Sequence, residues 1–167
     1  MKKQKKQLFI TGGLLILLVV VFIFIVLPEG ASQDEVRDSS KAQTEGDIKI
    51  MKGEVTEKAS FYPYEIDGVN LEVMAVKAED GTVRTAFNTC QICYSSGRGY
   101  YKQQGEYIVC QNCGNSYTSE EVEVITGGCN PVPITKEDKT ESDDTITINR
   151  ELLEEYQAIF ANWKTNS

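Results

Sequence analysis

Apolar and polar positions along this chain separate into distinct stretches, each with its own period. The first is a run of twenty uncharged residues, "LFITGGLLILLVVVFIFIVL" (8–27), behind the short basic segment "MKKQKKQ" (1–7). At about 1.5 Å of rise per residue, a helix of that length spans roughly 30 Å, the thickness of a bilayer's hydrocarbon core. Lysines precede the run and none directly follows it. That asymmetry predicts a single-pass transmembrane signal-anchor at the cell membrane, with a cytoplasmic N-terminus and an extracytoplasmic remainder. A cleaved signal peptide is the competing reading, but its apolar core is normally shorter. It also needs small residues at the cleavage site, where "LPEGAS" offers only Gly30 and Ala31.

Residues 28–47 are polar and charged and predict a flexible linker. Regular structure is expected from "IKIMKGEV" onward, opening a β domain over 48–134. Alternation is visible in Val69, Leu71 and Val73, and again in Val83, Thr85 and Phe87. Asp67-Gly68 and Asp80-Gly81 punctuate these runs, and Asp-Gly between β-rich segments signals a hairpin. About three antiparallel strands should therefore lead into Cys90. Two more short strands are expected, "EYIVC" (106–110) and "EVEVI" (121–125), with Pro63 at an edge or a bend. An acidic linker is expected over 135–147. Within 148–167, Leu152, Leu153, Tyr156, Ile159, Phe160 and Trp163 recur at helical spacing, with Asn149 placed to cap. That stripe predicts a C-terminal helix packed on the domain.

Charge narrows the partners. Lys2, Lys3, Lys5 and Lys6 are the only charges before Pro28. Beyond them stand 13 basic against 25 acidic side chains, a net of −12. Such a surface does not suit the phosphate neutralisation that nucleic-acid binding requires. The chain has no histidine, which removes Ser-His-Asp and Cys-His catalysis, blue-copper sites and histidine-ligated haem together. Metal chemistry would have to use thiolates, carboxylates or backbone groups.

Thiolates are supplied in pattern. Cys90 and Cys93 form one Cys-x-x-Cys pair, Cys110 and Cys113 a second, with sixteen residues between the pairs. Two residues between thiols let both sulfurs of a tight turn face one ion, and two such turns complete a tetrahedron. The spacing lies in the zinc-ribbon and rubredoxin range and leaves zinc, a lone iron and an iron–sulfur cluster all open. Outside the cytoplasm, paired disulfides are the competing use. Gly114 eases the second turn, whereas Tyr94 holds the matching place in the first. Cys129, in "TGGCNPVPI", follows two glycines and precedes two prolines, as in a rigid loop presenting one thiol. It is expected near the metal, as an additional ligand or a reactive thiol.

The ordered set "CQICY", "GRGYY", "CQNCGNSY" and "GGCNPVP", within residues 59–134, resembles the FtrD-like family of membrane iron–sulfur-containing proteins. The resemblance implies Cys90, Cys93, Cys110 and Cys113 as metal ligands with Cys129 as a further member. It implies an iron permease and an extracytoplasmic iron-binding protein as partners, and an electron-carrying or metal-handling role in iron uptake. A fainter likeness, of "CGNSYTSEEVEVITGGCNPVPI" to the Rieske stretch from second ligand turn to covering loop, implies that Cys129 lies over the metal. The expected fold is thus mainly β, a small antiparallel sheet with zinc-ribbon- or rubredoxin-like knuckles, an N-terminal transmembrane helix and a C-terminal amphipathic helix. The expected function is an electron carrier, not a catalyst with its own substrate pocket. A structural zinc-ribbon interaction module and a thiol–disulfide carrier are the alternatives.

Overall fold

A computed structural model of the chain describes residues 41–165. The predicted anchor at 8–27 lies outside them, and among the described residues no helix is long and apolar enough to cross a membrane. Among the described residues, ten strands form three antiparallel sheets. The central one is β2 (Ser60–Ile66), β3 (Val69–Lys77), β4 (Val83–Cys90) and β8 (Pro131–Pro133), in the order β2-β3-β4-β8. A second sheet orders β1 (Ile48–Met51), β10 (Thr145–Ile148) and β9 (Thr140–Glu141) as β1-β10-β9. A third holds β5 (Tyr101–Gln104), β6 (Tyr107–Cys110) and β7 (Ser116–Tyr117).

The two Asp-Gly signals act as expected. Asp67 and Gly68 take φ of 49° and 80° and turn β2 into β3, and Gly81 at φ 83° closes the β3–β4 turn. A positive φ at both central residues matches the right-handed twist of the flanking strands, which is why asparagine or aspartate followed by glycine is favoured there. Pro63 sits on β2, the outer strand, where its missing N–H costs no ladder bond. Gln43 covers that edge, donating its N–H to the Pro63 carbonyl (3.0 Å) and accepting from Glu65 N–H (2.8 Å). The end of the expected 28–47 linker is therefore laid along the sheet.

β3 departs from the simple alternation. Every residue from Leu71 to Val76 is buried, because both faces of the central sheet are covered. Leu71, Val73 and Ala75 point into one core with Tyr64, Phe87, Ile134 and the isoleucines of β1 and β10. Met74 and Val76 point into the other, with Ala86, Tyr101, Ile108, Cys90 and Cys110. Successive side chains of a strand face opposite ways, so this one strand anchors two cores.

The first core is closed by the C-terminal segment. Helix α1 (Arg150–Tyr156) begins at Asn149, whose side chain accepts from Leu152 N–H at 2.9 Å. It is shorter than expected, since the chain tightens to a 3₁₀ turn over Gln157–Phe160. The tighter winding brings residues three apart into line, and Phe160 meets Trp163 edge-on at 5.7 Å. Tyr156 stacks on Phe87 at 4.8 Å, and the Trp163 indole N–H donates to the Asn88 carbonyl at 2.7 Å.

Two expectations are corrected. Residues 135–147 are not a free linker, for they contain β9 and most of β10, with Ile146 fully buried. Nor is "EVEVI" a strand. Thr118 N–H donates to the Glu121 carboxylate at 2.8 Å, and Ile125 N–H reaches back to the Glu121 carbonyl at 3.0 Å. A threonine followed three residues on by glutamate is a helical start signal, and here it outweighs β propensity. Within that turn Glu123 takes φ 69°. Its carboxylate accepts from Thr85 N–H (2.8 Å) and from the Lys139 ammonium (2.7 Å), whose side chain is only 1% exposed. Removing one member of a buried pair strands the other. Lys139→Ala should therefore cost about 3–5 kcal/mol in denaturant unfolding, well above the cost of Lys49→Ala on the exposed side of β1.

Candidate metal centre

Three strand ends meet at one corner of the second core. Cys90 is the last residue of β4 and Cys110 the last of β6, while the loop carrying Cys129 enters β8 directly beside Cys90, with Cys90 paired to Pro131. A register shift between Phe87 and Cys90 marks a bulge in β4. Bulges re-aim side chains where a ladder ends, and this one ends at the first thiol.

Each Cys-x-x-Cys forms a tight turn, but the two are built differently. In the second, Gly114 at φ 79° donates its N–H to the Cys110 carbonyl at 3.0 Å, and Cys110 N–H donates to the Asn115 carbonyl at 2.9 Å. In the first, Cys93 N–H points at the Cys90 sulfur at 3.3 Å, and a 3₁₀ turn over Tyr94–Ser96 ends at Gly97 with φ 77°. The left-handed residue thus comes later than Tyr94, the position matching Gly114. Gly99 then passes so close that a Cβ there would lie 2.3 Å from the Cys93 carbonyl oxygen. Its own carbonyl accepts from Cys90 N–H at 2.7 Å. Nothing in the Cys-x-x-Cys spacing marks Gly99; the only signal is its place in "GRGYY".

All five thiols are free and converge. The sulfurs of Cys90, Cys93 and Cys129 lie within 4.8 Å of one another, as do those of Cys93, Cys110 and Cys113. Cys93 and Cys129 are 4.0 Å apart. Cys129 is held by Gly127 and Gly128, at φ 87° and 72°, which turn the loop sharply. Gln91 ties that loop to the first knuckle, its N–H donating to the Asn130 carbonyl (3.0 Å) and its side-chain oxygen accepting from Gly127 N–H (3.2 Å). The Tyr101 hydroxyl donates to the Cys129 carbonyl. Tyr101 is in turn fixed by Asn88, whose side chain accepts from Tyr101 N–H at 2.7 Å and donates to Glu72 at 2.8 Å. Asn88, Tyr101 and Glu72 are supporting residues that no motif in the sequence pointed to.

Burial pushes the Cys110 thiol up to about 12 and raises Cys93. Cys129 is also pushed up to about 12, first through its hydrogen bond with Cys113 and then by burial. Cys113 is the exception. Burial acts to raise it, but hydrogen bonds from Asn115 N–H and the neighbouring thiols hold it below the ordinary range. It is also the exposed member of the set. Burial keeps the Tyr101 phenol protonated.

The donor set is all sulfur, with an N–H already directed at one sulfur. Soft thiolates of this kind suit zinc, iron and iron–sulfur centres and not hard cations. A family model described as membrane iron-sulfur containing protein FtrD-like matches residues 55–160. The match runs past the cysteine region through β10 and α1, so the C-terminal helix belongs to the matched unit. No curated protein and no solved structure matches the chain.

Two outcomes follow from this geometry. Gly99→Ala should destabilise the domain by about 1–3 kcal/mol or more, as overpacking against fixed backbone does, and should lower metal retention. Gly53→Ala, with open space around it, should do neither when both are followed by thermal unfolding and metal analysis. The second concerns pH. Metal must displace protons from the raised thiols of Cys93, Cys110 and Cys129, so metal loading near neutral pH should release protons. Apparent affinity should rise steadily from about pH 6 to pH 8, the direction a raised thiol demands, in competition titrations against a chelator.

Proposed function

The chain belongs to the FtrD-like family of membrane iron-sulfur containing proteins, and on that premise we propose that its thiol corner holds iron, as an iron–sulfur cluster or as thiolate-bound iron. The protein would carry electrons or handle metal in an iron-uptake system. Residues 8–27 would anchor it in the cell membrane, with the domain on the extracytoplasmic side. Its partners would be an iron permease and an extracytoplasmic iron-binding protein.

The observation that carries this reading is the convergence of all five cysteines on one corner, with four of them at least half-buried and Cys113 at the surface. Thiolate-held iron supplies a one-electron couple. The chain's own residues do the remainder. Cys90, Cys93, Cys110 and Cys113 would hold the metal, and Cys129 would be the additional thiol. The Cys93 N–H at the Cys90 sulfur would favour a more negative, thiolate-rich state, since hydrogen bonds to sulfur tune such centres. Met74, Val76 and Ile108 behind the corner keep water from its inner side, leaving exchange to the Cys113 edge. An exposed ligand beside buried ones suits transfer to a docked protein better than turnover of a small substrate.

The full chain, purified in detergent without oxygen, should contain iron and show a visible absorption band that dithionite bleaches. Labile sulfide would distinguish a cluster from a lone iron. Colourless protein with stoichiometric zinc would replace the carrier with a structural zinc-ribbon module. Metal-free protein with paired cysteines would refute both metal readings and leave the thiol–disulfide carrier.

A further inference from the structure

The expectation from spacing was four ligands and one extra thiol. The geometry divides the sulfurs otherwise. Cys90, Cys93 and Cys129 form one triplet, Cys93, Cys110 and Cys113 the other; Cys93 belongs to both, and a hydrogen bond between Cys113 and Cys129 also joins them. On the premise that these thiols hold metal, we propose that the centre is binuclear: Cys90 and Cys129 serve one metal position, Cys110 and Cys113 the other, and the Cys93 thiolate is shared between them.

A metal–sulfur bond of about 2.3 Å and tetrahedral angles place the sulfurs of one ion about 3.8 Å apart. The Cys93–Cys129 separation of 4.0 Å is already close to that edge. Each triplet then occupies three corners of a tetrahedron, and the fourth corner is left to a ligand from outside the chain. Three protein ligands with an open position is the arrangement of reactive sites, whereas four protein ligands close a structural one. A thiolate sulfur has lone pairs for two ions, so a shared vertex needs no additional residue.

Cys129 is also held in place as a ligand would be. Its loop is fixed from three sides, by the Tyr101 hydroxyl at its carbonyl, by Gln91 at Gly127 and Asn130, and by β8 pairing beside Cys90. Next to it in the chain, the Asn130 side-chain nitrogen is buried without a protein partner.

The test is a titration of the full, detergent-solubilised chain, stripped of metal, with cobalt(II) under anaerobic conditions. Wild type should bind two cobalt ions, with thiolate-to-cobalt absorption growing through both equivalents. The electron paramagnetic resonance signal should rise with the first and fall with the second, as the shared thiolate couples the two spins. Cys129→Ser, altered on a half-buried loop, should keep the near-ultraviolet circular dichroism of the fold yet stop at one uncoupled ion. A single equivalent in wild type would overturn the binuclear assignment. Two equivalents in both proteins would overturn the role given to Cys129. No cobalt binding at all would remove the metal reading itself. Two coupled equivalents in a protein whose native metal is zinc would uphold the partition while removing the iron carrier.

Discussion

A sheet buried on both faces must be covered on both, and the rest of the molecule answers that requirement. β3 presents Leu71, Val73 and Ala75 to one side and Met74 and Val76 to the other. Neither side can be left to water without exposing several large apolar groups, each worth about 1.5–3 kcal/mol on burial. The chain meets one demand with β1, β10 and the C-terminal helix, and the other with the small sheet β5-β6-β7.

These two covers are unequal. The first is built from long apolar side chains and closed by Phe160 and Trp163. The second is a sheet of four, four and two residues, and so small a sheet has little stability of its own. It is held to the centre by Tyr101 and Ile108 in the apolar contact, by Asn88 bonding the Tyr101 backbone, and by the cysteine corner. A metal at that corner would link β4, β6 and the β8 loop at their ends, so the structural and chemical roles of the thiols need not be separate. The polar chain from Lys164 through Glu72 and Asn88 to Tyr101 and the Cys129 carbonyl connects the C-terminus to the same corner.

Much of this was legible in the residues. The Asp-Gly turns, the edge position of Pro63, the capping Asn149 and the cysteine knuckles are local devices, and local devices act through φ, ψ and near-neighbour bonds that a short stretch contains. "EVEVI" misled because its alternation is genuine but Thr118 and Glu121 close a hydrogen-bonded turn first. The segment 135–147 misled because its acidic residues masked Ile146, whose partner Ile50 stands almost a hundred positions earlier. Gly99 was unreadable as a close-packing site, since its constraint is a backbone it meets only after the first knuckle has folded.

The sequence by itself determined the chemistry: five thiols, no imidazole, and two turns each able to aim a pair of sulfurs at one point. It also determined the β character and the hairpin order, because those rest on period and turn type. Only the tertiary structure decided how the thiols are grouped in space. Spacing groups Cys90 with Cys93 and Cys110 with Cys113, but distance groups Cys93 with both sets and brings Cys129 to Cys90 and Cys93, with a hydrogen bond to Cys113 as well. The pairing of β8 with β4 and the anchoring of Tyr101 by Asn88 set those distances. Both are contacts between residues far apart in the chain, which no local pattern encodes.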